Sequence, residues 1–408
     1  MNDSKNKIDT SVIEPTVSKY YEGVSSAFRY AKFITLTIVV IFVVLTLSFF
    51  RDDVSIENFQ YMLKYITSDE DTLITTQKLH YPTSDSKALD LFNGDLVSAG
   101  TSGISLYDTN GNSVLQIDEV YSSPCFSFGN RYGLCYDISG HSYVIFSTFA
   151  KLYSQKLEYP ISGAVMTEKG HYVIMTRDRE YKTVFNVYNS DYELVSKIFK
   201  NNYTFAFDYN GKHLAYASVF ASDSRYVCEL NLVKTNVESD TLTLTYYDEF
   251  PLAVQYLNEN LVMLTDTYLR FYDTTFELIA EFNIGAEISG YSLGDEFMMV
   301  YSEKNIIGSE NRADFYSYDG KLIAAEDVKG KINFVNLNGN CAAILTNNSV
   351  MRFNFDEGEV RVCKIDTGAD KVMLQSDYTS LVCYDNFAQL VNFESPDETY
   401  KIKFKGEK

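Results

Sequence analysis

Eight times between Gly94 and Tyr384 a glycine, asparagine or other polar residue precedes a short apolar run, at intervals of roughly 36 to 48 residues. The copies are Gly94-DLVSAG, Arg131-YGLCYD, Gly170-HYVIMT, Gly211-KHLAYA, Glu259-NLVMLT, Asp295-EFMMVY, Gly339-NCAAIL and Tyr378-TSLVCY. A fixed period of this length marks an array in which each unit buries its apolar face against the next. Each run is about one strand long, and without strict alternation it suits a strand covered on both faces, as in the stacked blades of a β-propeller. A core helix would need longer runs.

A second signature follows each run: an apolar or aromatic strand, a polar turn and another strand. It is clearest in SLYDTNGNSVLQI from Ser105, FNVYNSDYELVSKI from Phe185, LRFYDTTFELIAEF from Leu269 and DFYSYDGKLIAAE from Asp314. Asn, Asp and Gly hold the turns because they tolerate the positive φ that tight reversals need. With a weaker strand ahead of each apolar run, every unit supplies four strands, the blade of a propeller. The expected fold is all-β: a propeller of eight blades, or seven if one copy is degenerate, over residues 71–408. Residues 72–79 supply an outer strand that zips the first and last blades together. The hairpin turns exclude a helical solenoid.

The Tyr-Asp or Phe-Asp pair before the turn resembles the quinoprotein-like and WD40-like propellers, although the chain has no tryptophan and so no Trp-Asp ending. The order of tail, single anchor, amphipathic link and repeats resembles an uncharacterised family of bacterial single-pass membrane proteins whose domain has no assigned function. That resemblance implies an architecture and carries no catalytic residues.

Phe33 to Phe50, FITLTIVVIFVVLTLSFF, has no charge, glycine or proline and is long enough to cross the hydrocarbon layer as a helix. It ends in Ser48-Phe49-Phe50-Arg51 rather than in the small residues of a cleaved signal. Residues 33–50 therefore read as a transmembrane helix in contact with the lipid bilayer. Lys19, Arg29 and Lys32 precede it, and Arg51 is followed by Asp52, Asp53 and Glu57. Positive charge stays inside, so the N-terminus is expected in the cytoplasm and the C-terminal domain outside the cell membrane. Residues 1–32 read as a flexible tail. In residues 51–70, Ile56, Phe59, Leu63 and Ile66 fall on one face of a short amphipathic linker helix.

The formal net charge of −20 makes nucleic acid a poor partner. The six cysteines, at 125, 135, 228, 341, 363 and 383, show no metal or redox spacing and read as buried thiols; Cys125 and Cys135 stand close enough in sequence to bridge within one hairpin. No Gly-x-Ser-x-Gly elbow, phosphate loop or His-Glu-x-x-His stands in the sequence. Of four histidines, His171 and His213 recur because the repeat recurs. Tyr107, Tyr188, Tyr272 and Tyr318 read as hairpin and inter-blade packing. No catalytic residue, cofactor site or metal site is therefore predicted. The function these features favour is a non-catalytic binding or scaffold module at the cell envelope, with a protein, peptide or glycan partner. The alternatives are a propeller-type hydrolase or lyase with its site on the central channel, and a sensor signalling through the anchor.

Overall fold

The computed structural model describes residues 15–49, 78–82, 87–108, 110–235, 240–257, 260–284, 288–305, 309–376 and 378–405. They fall in two compact units, Met1–Asp71 and Thr72–Lys408. The expected linker helix of residues 51–70 lies outside the described residues.

Among the described residues the first unit contains one helix, Pro15–Phe49. It begins inside the segment expected as a flexible tail. Proline at the first turn loses no hydrogen bond, and an established helix elongates at little cost. The hydroxyls of Ser26, Thr35 and Thr37 fold back onto the carbonyls of Gly23, Ala31 and Phe33, each at 2.9 Å, which satisfies them without water. Within it Gly23–Phe42, 20 residues, is long and apolar enough to cross a membrane.

The second unit is an eight-bladed β-propeller. Seven sheets are built of four consecutive antiparallel strands, or four plus one added at the edge, and the eighth closes the ring. Blade 1 runs from Ala88 to Ile117, blade 2 from Pro124 to Lys156, blade 3 from Ile161 to Lys200 and blade 4 from Tyr203 to Tyr247. Blades 5, 6 and 7 span Pro251–Asn283, Ile288–Lys329 and Ile332–Lys364. Blade 8 takes three strands from Lys371–Asn392 and its outer strand from Lys78–His80, so the two ends of the repeat share one sheet. Tyr81 locks this closure, its hydroxyl donating to the carbonyls of Tyr384 (2.6 Å) and Phe387 (2.9 Å). The C-terminal strand Glu398–Lys401 adds a fifth strand to blade 7, and Phe404 then pairs with Ala324 of blade 6.

The eight apolar runs of the sequence are the second strands of the eight blades. Asp95–Gly100, Tyr172–Thr176, Cys341–Thr346 and Thr379–Cys383 are buried at every position. They are not the innermost strands. The first strands of neighbouring blades touch one another around the axis, and most of them are less completely buried than the second strands. The first strand of blade 4, Tyr203–Tyr209, accordingly mixes exposed and buried positions. That mixture made these strands the weak ones in the sequence.

The longest interval of the repeat, from Gly211 to Glu259, has a local cause. In blade 4 the second and third strands, His213–Ser222 and Arg225–Lys234, are ten residues each. Asp223 and Ser224 join them with both φ values positive, 47° and 66°, the pattern of a two-residue hairpin turn whose twist matches its strands.

The Tyr-Asp pairs resolve into two tasks. Tyr107, Tyr188 and Tyr272 are buried between blades. The following Asp108, Asn189 and Asp273 each accept two backbone N–H groups across the turn, for example those of Asn110 (2.9 Å) and Asn112 (2.8 Å) on Asp108. Blade 6 departs from the pattern by two places. Tyr316 fills the strand position, Ser317 bonds across the turn to the Lys321 carbonyl, and Tyr318 folds under it to donate to the carbonyls of Gly294 and Phe297.

All six cysteines are free. Register rules out the bridge considered for Cys125 and Cys135. Cys125 pairs with Tyr136 and Cys135 with Phe126, so the two thiols leave opposite faces of the sheet, Cys125 toward blade 3 and Cys135 into the core shared with blade 1.

Candidate functional site at the channel mouth

On the side of the ring that carries the first-to-second strand turns, blades 2 to 5 converge on a cavity of about 1000 Å³. Its walls are the ends of their first strands, the turns that follow in blades 3 and 4, and Thr274 and Phe276 from the third-to-fourth strand turn of blade 5. Glycine is required in two of those turns. Gly170 (φ 83°) and Gly211 (φ 90°) occupy the left-handed region, which lets the chain reverse tightly and start the next strand at the rim. Asn210 fixes the second turn by accepting the N–H groups of Lys212 (3.0 Å) and His213 (2.8 Å).

His171 and His213 therefore recur for the structural reason expected of them, and because blades 3 and 4 are neighbours both line this one cavity. His213 lies edge-on to Phe276 with ring centres 6.0 Å apart. Partial burial, with Lys234 and Lys212 nearby, holds its pKa below the usual histidine value. The other two histidines lie elsewhere. His80 rests against Phe387 on the closing strand, and His141 bonds the Leu157 carbonyl at 3.0 Å.

Asp208 and Tyr256, which the sequence did not single out, form the floor. Asp208 accepts the N–H of its neighbour Tyr209 (2.7 Å) through Oδ1 and that of Tyr256 in blade 5 (2.6 Å) through Oδ2. Burial nonetheless pushes its carboxyl up to about 6, the two N–H donors opposing the shift. The Tyr256 hydroxyl is buried and has no hydrogen-bond partner among the described residues, and burial together with the Asp208 charge raises its pKa. The only sequence signal for this pair was a carboxylate set among aromatics in a strand-like run, Phe207-Asp208-Tyr209.

The same stitch recurs around the ring. Ser127 of blade 2 accepts the N–H of Met166 in blade 3 (2.9 Å), and Asn336 of blade 7 that of Leu374 in blade 8 (2.8 Å). Each is a side chain on a first strand bonded to the backbone of the next first strand. The device spares inner strands an unpaired N–H at the blade junction.

No group of three or more His, Cys, Asp or Glu able to hold a metal ion occurs among the described residues. Tyr107, Tyr188, Tyr272 and Tyr318 take no part in the cavity.

In fold the second unit is similar to the computationally designed Ika8 protein, at TM-score 0.59 and 12% identity over 78% of this chain and 100% of that one. It is also similar to BamB from Moraxella catarrhalis, at TM-score 0.52 and 10% identity over 78% of this chain and 99% of that one. Identities this low speak for the fold alone. No curated protein matches the sequence. Residues 67–392 match the family of unknown function DUF5711, and the chain belongs to that family.

Proposed function

We propose that the chain is a non-catalytic binding or scaffold module, held at a membrane by its N-terminal helix, which takes a protein or peptide segment of a cell-envelope partner at the channel mouth. The cavity carries this reading. Four neighbouring blades form one wide concavity in which Phe128, Val165, Phe207 and Phe276 alternate with hydrogen-bonding groups such as Asn210, Lys212 and Gln255. A broad surface of mixed character suits an irregular polypeptide, which presents both side chains and backbone amides. The net charge of −20 favours a neutral or basic partner over nucleic acid. Positive residues before the apolar stretch orient the propeller to the outer side of that membrane.

The test is site-specific photocrosslinking in intact cells from positions 169 and 212 on the cavity rim, with position 340 on blade 7 as control. One protein captured from both rim positions and absent from the control supports the reading. Capture that is the same at all three positions, or none at all, defeats it.

One observation favours a second reading, a hydrolase or lyase. Asp208 holds its proton to about 6 and shares the cavity with His171 and His213, as a general acid would. Both of its oxygens are already engaged by backbone N–H groups, which leaves less of the group for a substrate. Conversion of an envelope component by the wild-type chain, lost in Asp208→Asn with crosslinking retained, would decide for the enzyme.

A further inference from the structure

At the outer rim, blades 2 and 3 part to leave a second cavity of about 310 Å³, lined among others by Tyr153, Gln155, Tyr159, Asn186, Tyr192 and Lys197. Blade 2 contributes its fourth strand, Lys151–Lys156, and the residues after it. Blade 3 contributes its third and fourth strands, Thr183–Tyr188 and Leu194–Lys200. None of these residues belongs to the channel mouth.

The cleft is built in advance of any ligand. Tyr153 and Tyr192 stack across it with centres 4.8 Å apart and planes at 12°. Beneath them Tyr172 and Tyr188 stack at 4.6 Å. Tyr143 and Tyr153 both donate their hydroxyls to Gln155 Oε1, at 2.8 and 3.2 Å, which fixes the amide and leaves its Nε2 as the outward donor. Asn186 is only 6% exposed. Its Nδ2 donates to the Ile174 carbonyl (3.2 Å) and to Thr176 Oγ1 (3.1 Å), while its Oδ1 accepts from none of the described residues. An acceptor and a donor held by rigid neighbours thus face a small space walled by aromatic rings.

That combination selects a ligand by elimination. A purely apolar guest would leave the Asn186 oxygen and the Gln155 amide unpaired, and desolvating them without a partner weakens binding. An anion would meet Lys197 and Lys156, but also Glu158 and the acceptor oxygen of Asn186. A polyhydroxylated ring satisfies every surface, since its hydroxyls both donate and accept while its C–H face packs on Tyr159, the lining tyrosine outside the stacked pairs. The volume lies near the lower end of small-molecule sites, about 300–1000 Å³, which suits one ring rather than a chain.

We propose that the cleft between blades 2 and 3 binds a single sugar ring of a neutral glycan. This site does not depend on the channel-mouth reading. The test uses the full chain in a polyoxyethylene detergent, because a detergent with a sugar headgroup would compete. Tetra-N-acetylchitotetraose and maltotetraose are each titrated and read by saturation-transfer NMR and calorimetry. One of them should show transfer confined to one ring. Tyr159→Ala and Gln155→Leu should each weaken it at least about fivefold, roughly 1 kcal/mol, and Lys212→Ala at the channel mouth should leave it unchanged. Tyr159 stands outside the tyrosine stack, so its substitution serves even if Gln155→Leu fails to fold. No transfer from either sugar at about 10 mM, where a millimolar Kd would be visible, overturns the proposal. So does binding indifferent to both substitutions, or preference for inorganic phosphate over either sugar.

Discussion

The Asp208 carboxylate of blade 4 accepts the backbone N–H of Tyr256 in blade 5 at 2.6 Å, and so ties two blades together at the floor of the channel mouth. The bond spans 48 residues of sequence and has counterparts in Ser127 to Met166 and Asn336 to Leu374. It combines a structural task with a titrating group in the wide cavity lined by blades 2 to 5.

The first prediction is a pH dependence. Burial raises the Asp208 pKa in the folded chain from 3.8 to about 6. A raised carboxyl pKa means that the folded state holds a proton the unfolded state has released. The stability it confers is therefore full below about pH 4, declines as pH rises to 6 and is flat above. The decline amounts to no more than about 3 kcal/mol. Asp208→Asn should remove this slope, seen as a smaller loss of Tm between pH 4 and 6 than in the wild type. An unchanged difference across that range would show that Asp208 titrates normally.

Ring closure should depend on Tyr81. Tyr81→Phe takes a donor from the carbonyls of Tyr384 and Phe387, at an expected cost of about 1–2 kcal/mol, measured as a fall in the urea midpoint. Deleting Lys78–His80 removes the outer strand of blade 8 and should do more, exposing its third strand and broadening the unfolding transition.

Two glycines with similar φ should respond unequally to alanine. Gly103 has φ 96°, and a Cβ there would stand 2.3 Å from the Ile117 carbonyl oxygen. Gly211 has φ 90° with nothing within 4 Å. Gly211→Ala should cost about 1–2 kcal/mol, the backbone penalty alone. Gly103→Ala adds a backbone clash and should cost clearly more in the same denaturation measurement. Equal costs would mean that the chain around Ile117 yields freely.

Thiol chemistry should single out one cysteine. Cys125 is half-buried and the other five are buried. Burial raises the Cys125 pKa, so maleimide should label it slowly in the native chain and reach the rest only after unfolding. Rapid native labelling at Cys228 or Cys383, or a mobility shift on non-reducing gels, would contradict the packing described here.

The blade count and the identity of the second strands were legible because those strands are buried on both faces and repeat as bare apolar runs. The turns of blades 1, 3 and 5 were legible too, since Asp108, Asn189 and Asp273 act within four residues of themselves. In blade 6 the strand-end tyrosine is Tyr316, two places before Tyr318, which lies in the turn and packs beneath it. Most first strands were faint because they mix buried with partly or fully exposed positions, which breaks up the apolar run.

The sequence by itself determined the repeat, the strand polarity within each blade and the apolar N-terminal helix, all properties set by local pattern and burial. Which side chains meet was decided only by the closed ring. It brought His171, His213, Asp208 and Tyr256 to one cavity. Such contacts follow from the angle at which one blade stacks on the next, a tertiary quantity that leaves no periodic trace along the chain.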